Sequence, residues 1–248
     1  MRILVTIPVY NEQRYIERVI PRVLEHTDEV LVIDDGSTDA TPTLLATHPV
    51  EVIRHRVNRG YGRSLRDAFL WADTFGYDWV VTMDCDEQHE PDSLPVFFDA
   101  IERDDADIIS GSRYINTDNA NGSPPPDRRA INETITREIN DRLGLRLTDA
   151  FCGFKAHRVE AQRKVSFDEN GYAFPMQLWV RGVAAGLRIR EIPVRLIYND
   201  PNRSFGGPLD DSCHRLAHYR KALHCEIEKH AGLLPNSASS ALLNGCCG

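Results

Sequence analysis

Short apolar segments that alternate with amphipathic ones are the feature that most constrains the fold of this chain. The apolar segments read RILVTIP, EVLVID, VEVIRH, DWVVTM and ADIISGS, and stretches of helical character lie between them. In one such stretch Leu65, Ala68, Phe69 and Ala72 fall on one side of a helix. Strands that alternate with helices in this way form a mostly parallel sheet with helices on both faces. We therefore predict an α/β fold with a mostly parallel central sheet flanked by helices.

Length and composition restrict the kind of protein further. The chain has 248 residues and a net charge of -8, from 29 basic and 37 acidic side chains, and this balance argues against nucleic acid as a partner. No apolar segment approaches the ~20 residues that span a bilayer, and no cysteine pair has C-x-x-C spacing. We expect one folded domain over residues 1–230, a flexible tail over 231–248, reduced thiols and a cytoplasmic location.

Polar residues collect where three of the predicted strands end. These segments are 8–12, 34–39 and 84–89, and each follows an apolar run directly. In parallel sheets ligands bind beyond the carboxyl ends of the strands. The sequence therefore predicts that the three segments meet at one rim of the sheet and form a binding site there.

The third of these segments, DCDEQH, carries two acids one residue apart. In an extended backbone Asp84 and Asp86 point the same way, and Gln88 continues the period. Two carboxylates and an amide oxygen suit a hard divalent cation, Mg²⁺ or Mn²⁺, whose charge would offset the repulsion between the acids. A solvated, helix-capping turn is the more frequent explanation of an isolated pair of this kind, so the surrounding motifs have to decide.

Six motifs in a fixed order supply that context. PVYNE, DDGSTD, NRGYGRS, DCDEQH, GSRY and DAFCGFK occur at spacings that resemble the family 2 glycosyltransferases, and within them the dolichol- or polyprenyl-phosphate mannose synthase branch. The resemblance extends over residues 2–207. It implies the A-type glycosyltransferase fold (GT-A, Rossmann-like) for the catalytic domain, a nucleoside diphosphate sugar as donor, and inversion at the anomeric carbon.

The resemblance also implies which residues form the site. The implied donor-binding residues are Pro8, Tyr10, Glu12, Ile33, Asp35, Asp84, Cys85, Asp86, Arg113 and Arg203. Asp84, Asp86 and Gln88 would hold the metal ion. The Tyr10 ring can stack on a nucleobase, and Asp35 can bind the base or the ribose. Ordinary packing of Tyr10 and a helix-capping turn at Asp35 are the alternatives.

Two arginines are expected to bind phosphates. A guanidinium can hold a phosphate with two parallel hydrogen bonds, and Arg113 in GSRY and Arg203 in NDPNRSFGG match such positions of the family. A structural salt bridge is the alternative for Arg113. The branch commonly has a lysine shortly after the second arginine, where this chain has Ser204, Phe205 and Gly206. One phosphate contact is therefore missing or is supplied by another part of the chain.

The implied catalytic residues are Asp86, Asp149 and Arg113. Gln177 stands where the family usually has an acid, and an amide cannot act as a general base. A hydroxyl acceptor normally needs such a base, whereas a phosphate acceptor is already ionised at neutral pH. Gln177 is therefore compatible with a lipid phosphate acceptor, although Asp149 could serve as base for a hydroxyl or simply cap a helix or loop.

The main hypothesis is a metal-dependent glycosyltransferase that moves a hexose, mannose or glucose, to a polyprenyl or dolichyl phosphate. The donor would be a nucleoside diphosphate sugar such as GDP-mannose or UDP-glucose. The alternatives are the same reaction on a soluble saccharide or protein, and a sugar-nucleotide-binding protein without catalysis. A lipid acceptor would also bring the protein into peripheral contact with the cytoplasmic face of a membrane.

Two segments have open interpretations. The proline-rich segment 116–129 is a mobile lid or a surface connector. The helix predicted over 211–229 has an apolar side that packs on the protein's own core or lies on a membrane. That side carries Leu216, Tyr219, Leu223 and Ile227.

Overall fold

The computed structural model describes residues 1–116, 123–198 and 204–239. Arg203 therefore lies outside the described residues, as do residues 117–122 of the segment proposed as a lid or connector. The end of the predicted tail, from residue 240 onward, also lies outside them.

A single twisted sheet organises the described residues. It has seven strands in the order β3-β2-β1-β4-β6-β5-β7 within the described part of the chain. All neighbouring strands are parallel except β6, which is antiparallel to both β4 and β5. The strands are β1 (Ile3–Val9), β2 (Val30–Asp34), β3 (Glu51–Arg54), β4 (Trp79–Thr82), β5 (Ile108–Ser112), β6 (Lys155–Arg158) and β7 (Ile189–Pro193).

Helices cover both faces of this sheet. Short 3₁₀ turns occur at Pro91–Ser93, Gly207–Asp210, Ala231–Leu233 and Asn236–Ala238. Local chemistry sets several helix ends. Gly144, with a left-handed φ of 68°, ends the fifth helix, and the Asp211 carboxylate caps the last one by accepting from the His214 N–H at 2.8 Å. The α-helices are α1 (Ile16–Leu24), α2 (Thr41–Leu45), α3 (Tyr61–Thr74), α4 (Leu94–Glu102), α5 (Pro126–Leu143), α6 (Val159–Gln162), α7 (Phe174–Ala184) and α8 (Ser212–His230).

The alternation of side chains along each strand divides the apolar core into two layers. On one face Leu4, Leu31 and Val80 pack with helices α3, α5, α7 and α8, and on the other face Val5 and Val32 pack with α1, α2 and α4. A sheet buried on both faces explains why the strands of this sequence read as nearly continuous apolar runs. The predicted α/β class and the mostly parallel sheet are confirmed.

Strand register brings the predicted polar segments to one rim. Val9 of β1 pairs with Asp34 of β2, and Thr6 of β1 pairs with Thr82 of β4, so the three strands end close together. The residues that follow these ends are those of the motifs PVYNE, DDGSTD and DCDEQH. The predicted meeting of the three segments is therefore present in the structure.

The last third of the sheet departs from the sequence-based prediction. Strand β6 was not predicted because KAHR contains no apolar run, yet Lys155 and His157 are both buried. The strand predicted over 187–198 is shorter and covers Ile189–Pro193. Predicting a strand from the sequence depends on apolar runs or on alternation of apolar and polar residues, and a strand that buries polar side chains shows neither.

Helix α8 packs on the protein itself. Tyr219, Leu223 and Ile227 are buried, Leu216 packs against them at the edge of the core, and the helix contacts α5 and α7. The membrane-surface interpretation of this apolar side is therefore wrong, and the alternative of core packing is right. Among the described residues no helix combines the length and the apolar character required to cross a bilayer.

Residues 231–239 of the predicted flexible tail pack against α5. The Arg142 Nη1 donates to the Ala238 carbonyl oxygen at 3.1 Å, and the Ser237 hydroxyl donates to the Arg142 carbonyl oxygen at 2.8 Å. Ala238 is completely buried against this part of α5. Residues 231–239 are therefore folded, because a buried alanine and main-chain hydrogen bonds hold them, neither of which leaves a sequence pattern.

A buried ionic cluster joins α7 to α8. Glu226 is only 5% exposed, and its carboxylate accepts from Arg181 Nε at 2.7 Å and from Lys229 Nζ at 2.8 Å. Burial alone would raise the pKa of Glu226, but the hydrogen bonds from Arg181 and Lys229 lower it to about 2. The charged carboxylate is therefore part of the folded state at neutral pH.

We predict that Glu226→Gln destabilises the protein by about 2 kcal/mol at neutral pH, because it removes the buried anion that pairs with Arg181 and Lys229 and leaves Asp168 as the carboxylate partner of Arg181. The folded pKa of Glu226 is depressed to about 2 from the ordinary value of 4.5. The stabilisation is therefore fully present above pH 4.5 and is lost as the pH falls toward 2. Urea unfolding at several pH values measures this. Glu228→Gln, at an exposed position of the same helix, is the control, and equal effects of the two variants would contradict the prediction.

Candidate active site

A cavity of about 830 Å³ opens at the rim where β1, β2 and β4 end. Most of the residues implied by the motifs line it. These are Pro8, Tyr10, Glu12, Asp35, Asp84, Cys85, Asp86, Gln88 and Arg113. Ile33 does not line the cavity, because β2 turns its fully buried side chain into the apolar core. Among the described residues implied to bind the donor, Ile33 is therefore the one that the cavity lining does not include.

Asn11 joins the loop of the PVYNE motif to the loop of the DDGSTD motif by hydrogen bonds. It has a left-handed φ of 57°, and its side-chain oxygen accepts from the main-chain N–H of Thr38 at 2.8 Å and of Asp39 at 3.3 Å. Its own N–H donates to the Ser37 hydroxyl at 2.9 Å. Asparagine tolerates this backbone conformation better than most residues. Sequence reasoning missed Asn11, although its place in PVYNE could have indicated it.

The loops that Asn11 fixes present two residues of the proposed nucleoside site. Tyr10 is 45% exposed at the edge of the cavity, so its ring has a free face and is not packed in the core. Glu12 is buried, and its N–H donates to the Thr41 hydroxyl at 2.9 Å. The structure therefore places an accessible aromatic ring next to a positioned carboxylate.

Asp35 organises the glycine-containing loop. Its carboxylate accepts from the N–H groups of Arg59 and Gly60, both at 2.8 Å, and lies 2.6 Å from His55 Nδ1. Gly36 must be a glycine, since its φ is 77° and a Cβ would lie 2.5 Å from the Val57 carbonyl carbon. Asp35 thus holds the loop in place, and the carboxylate oxygen that bonds Gly60 retains capacity to accept a further hydrogen bond.

The loop after β4 brings the acids into the cavity. Asp86 is 4% exposed, and its carboxylate accepts from the Gln88 N–H at 3.0 Å. Asp84 lies against Gly153, and a Cβ atom on Gly153 would come within 2.7 Å of the Asp84 carboxylate. Any larger residue at position 153 would push into this carboxylate. The Cys85 side chain, between the two acids, belongs to the apolar core, so only its main chain is suited to contact a ligand.

His89 positions the main chain of this loop. Burial lowers the pKa of His89 to about 4, so its ring is neutral at physiological pH. The Asp84 N–H donates to His89 Nδ1 at 2.9 Å. The sequence left open whether His89 orients a carboxylate or lies on the surface. The structure places it inside, bound to the Asp84 backbone.

The acids fit a divalent metal ion. Two carboxylates and an amide oxygen from Asp84, Asp86 and Gln88 are the oxygen ligands that Mg²⁺ or Mn²⁺ prefers, and all three residues line the cavity. Within the residues that the structure describes, no group of three or more His, Cys, Asp or Glu side chains could hold a metal. The remaining ligands would therefore come from the donor diphosphate and from water, as is usual for Mg²⁺.

Arg113 and Asp149 form a bidentate ion pair beside the cavity. Arg113 Nε and Nη2 donate to the two Asp149 oxygens at 2.6 and 2.9 Å, and Asn132 Nδ2 donates to the same carboxylate at 2.8 Å. Burial alone would raise the pKa of Asp149, but the Arg113 guanidinium and the Asn132 amide lower it to about 2. Asp149 is fully buried and is not part of the cavity lining.

These contacts correct the role considered for Asp149. A carboxylate with a pKa of about 2, held by two donors away from the cavity, is poorly suited to take a proton from a hydroxyl. Asp149 instead fixes the guanidinium of Arg113. The salt bridge considered for Arg113 is real, yet it leaves the remaining guanidinium N–H groups available on the cavity side.

Further cations lie on the same side of the cavity. Arg128, at the start of α5, and Arg215, in α8, both line it, and their guanidinium carbons lie 4.6 and 4.9 Å from the centre of the Phe205 ring. Sequence reasoning missed both arginines. The PPPDRR segment could have indicated the first, because proline favours the first turn of a helix and places the arginines there.

Gln177 proves to be a structural residue. Its side-chain oxygen accepts from the N–H groups of Asp168 and Glu169 at 2.8 and 3.0 Å, and it does not line the cavity. The loop that it supports packs closely on the glycines that precede and begin α3, since a Cβ at Gly60 would lie 2.3 Å from the Asn170 carbonyl oxygen. Position 177 is therefore not the place of a base in this chain.

Comparison with known proteins agrees with this architecture. The model of the family described as Glycosyl transferase family 2 matches residues 4–166. The undecaprenyl-phosphate mannosyltransferase of Micrococcus luteus is 32% identical over 214 residues, which cover 82% of this chain and 87% of that protein. The polyprenol monophosphomannose synthase of Mycolicibacterium smegmatis is 32% identical over 204 residues, which cover 78% and 76%.

A solved structure supports the fold. Glucosyl-3-phosphoglycerate synthase from Mycobacterium tuberculosis, in complex with Mn²⁺, UDP and phosphoglyceric acid, superposes with a TM-score of 0.70 over 95% of this chain and 80% of that one, at 18% identity. At this identity the likeness concerns the fold alone, which is the A-type glycosyltransferase fold. The family match over residues 4–166 and the two relatives of 32% identity show that the chain belongs to glycosyl transferase family 2 and is a glycosyltransferase.

Proposed function

We propose that this glycosyltransferase moves a hexose, mannose or glucose, from a nucleoside diphosphate sugar to a polyprenyl or dolichyl phosphate, with inversion at the anomeric carbon. The relatives from Micrococcus luteus and Mycolicibacterium smegmatis are an undecaprenyl-phosphate mannosyltransferase and a polyprenol monophosphomannose synthase, which supports a polyprenyl phosphate acceptor and mannose. GDP-mannose is accordingly the first donor to test, and UDP-glucose the second.

The observation that carries this proposal is the buried pair of Arg113 and Asp149. The carboxylate that could have served as a base is held in an ion pair, whereas Arg113, Arg128 and Arg215 line the cavity, and the last of these is also paired with Asp127. A phosphate acceptor is already an anion and needs no general base. It does need positive charge around it, and guanidinium groups bind phosphate oxygens well. The arrangement therefore suits a phosphate better than a hydroxyl.

The opposite side of the cavity suits the donor. Tyr10 and Glu12 would contact the nucleoside, with Asp35 behind them, and Asp84, Asp86 and Gln88 would hold the metal ion beside the diphosphate. The metal supplies positive charge that offsets the negative charge developing on the leaving nucleoside diphosphate. Arg203, outside the described residues, stays a proposed second phosphate ligand. A lipid acceptor would also require peripheral contact with the cytoplasmic face of a membrane.

The direct test is a matrix of two donors and two acceptor classes. With Mn²⁺, we expect transfer of radiolabelled hexose from GDP-mannose or UDP-glucose to polyprenyl phosphate. The transfer is measured as radioactivity that extracts into the lipid phase. Chelation of the metal with EDTA should abolish it. A preference for soluble saccharides or proteins over polyprenyl phosphate would overturn the acceptor assignment, and binding of the sugar nucleotide without turnover on any acceptor would overturn catalysis.

Asp86→Asn tests the metal assignment. It removes a charged ligand but keeps the shape of the side chain, so turnover should fall about 100-fold or more while the protein stays folded. The shift in melting temperature that a nucleoside diphosphate causes in the presence of Mn²⁺ should shrink as well. Asp99→Asn, at an exposed position of α4, is the matched control. Metal-dependent turnover at the wild-type rate in Asp86→Asn would refute the assignment.

Arg113→Lys tests the acceptor side. Lysine keeps the positive charge but lacks the planar fork that bonds both Asp149 oxygens and still presents N–H groups to a phosphate, so the KM for polyprenyl phosphate should rise about tenfold or more. Affinity for the donor, measured without acceptor, should change little. Arg103→Lys, at an exposed position, controls for the substitution itself. If donor affinity falls while the KM for the acceptor stays constant, Arg113 serves the donor and the acceptor assignment fails.

A further inference from the structure

Strand β6 carries a buried cation that the reaction as described so far does not use. Lys155 is only 4% exposed and lines the cavity. Its ammonium donates to the Cys152 carbonyl oxygen and lies 5.3 Å from the centre of the Trp179 ring. An ammonium has three N–H groups, so these contacts leave donor capacity on the side of the cavity.

No carboxylate neutralises this ammonium directly. Among the ion pairs within 4.0 Å that join described residues, none includes Lys155. Burial lowers the pKa of Lys155, and the more distant carboxylates of Asp149 and Asp84 oppose that effect. Burying a charge without a paired anion costs several kcal/mol, so a methionine at this position would serve packing better. A charge kept at such a cost indicates a ligand rather than a structural role.

The part of the cavity next to Lys155, here called the recess, adjoins the strand that leads to the proposed metal-binding acids. Thr82, which pairs with Lys155 across β4 and β6, ends β4 two residues before Asp84. His157 lies two residues further along β6 and also lines the cavity, and burial lowers its pKa to about 3, so its ring is neutral. The cavity that contains the recess is lined by both polar and apolar side chains, among them Tyr61, Ser64, Leu65, Thr82, Phe174 and Leu178.

The composition of this recess suits a sugar ring better than a phosphate. Hydroxyl groups both donate and accept hydrogen bonds, so an ammonium and a carboxylate can bind one ring together. The apolar walls suit the C–H faces of the same ring. The proposed metal ion and the arginines would already neutralise the negative charge of the diphosphate at the rim.

We infer that Lys155 donates hydrogen bonds to a hydroxyl group of the donor hexose, while the Asp84 carboxylate accepts from the same ring. Lys155 is thus a specificity-determining residue for the transferred sugar. The inference rests on the proposed function, since it requires a nucleoside diphosphate hexose as donor.

Binding measurements on Lys155→Met test the inference. Titration calorimetry with Mn²⁺ would compare GDP with GDP-mannose, and UDP with UDP-glucose, in the wild-type protein and the variant. Loss of a hydrogen bond from a charged donor should weaken binding of the sugar nucleotide about tenfold to a hundredfold and leave the free nucleotide unchanged. The melting temperature of the ligand-free variant should rise, because an unpaired buried charge has been removed.

The controls separate the remaining explanations. Lys164→Met, at an exposed position, should change neither affinity. Lys155→Arg, which keeps a charged donor, should retain more of the preference for the sugar nucleotide than Lys155→Met does. Equal weakening of nucleotide and sugar nucleotide would assign Lys155 to the diphosphate, and unchanged affinities or a lower melting temperature would assign it to structure. Each of these results overturns the inference. Failure of the wild-type protein to bind any sugar nucleotide would instead overturn the proposed function.

Discussion

The buried ion pair between Arg113 and Asp149 is the interaction on which the arrangement of the cavity depends. Arg113 follows the end of β5, and Asp149 belongs to the segment between α5 and β6. The main-chain N–H of Asp149 donates to Glu191 of β7 at 3.0 Å, and Asn132 of α5 donates to its carboxylate. Through its carboxylate and its main-chain N–H, Asp149 therefore joins two strands and a helix to its own loop, and the carboxylate holds the guanidinium that lines the cavity. Removing either partner would leave an uncompensated buried charge.

The second constraint on the cavity is that several of its loops pass very close to neighbouring main chain or carboxylates. The acids after β4 can lie directly over the start of β6 only because Gly153 lacks a Cβ, and the loop before α3 meets residues 169–171 only because Gly60 and Gly62 lack one. These glycines belong to different motifs, yet they have the same physical role. Each lets main chain or a carboxylate come nearer than an alanine would permit. Glycine is therefore required at these motif positions, because any side chain there would collide with its neighbour.

The cavity also concentrates charge and buried polar groups that stability alone would not favour. Asp86, His89 and Lys155 are each less than 5% exposed, and most of the apolar core lies elsewhere. Desolvated ionisable groups of this kind are typical of functional sites. The burial that makes them costly also strengthens their interaction with a charged or polar ligand, because water no longer screens it.

The sequence by itself determined the α/β class, the rim at which the motifs meet, and nine of the residues that line the cavity there. Apolar runs and helical spacing are local properties, and six ordered motifs identified the family, so those predictions did not require a structure. Only the tertiary structure decided that β6 exists, that Asp149 holds Arg113 from 36 residues away, that Gln177 supports a loop, and that Lys155 is a buried cation. Each of these depends on which distant groups desolvate a side chain or pair with it, and no periodicity along the chain records that.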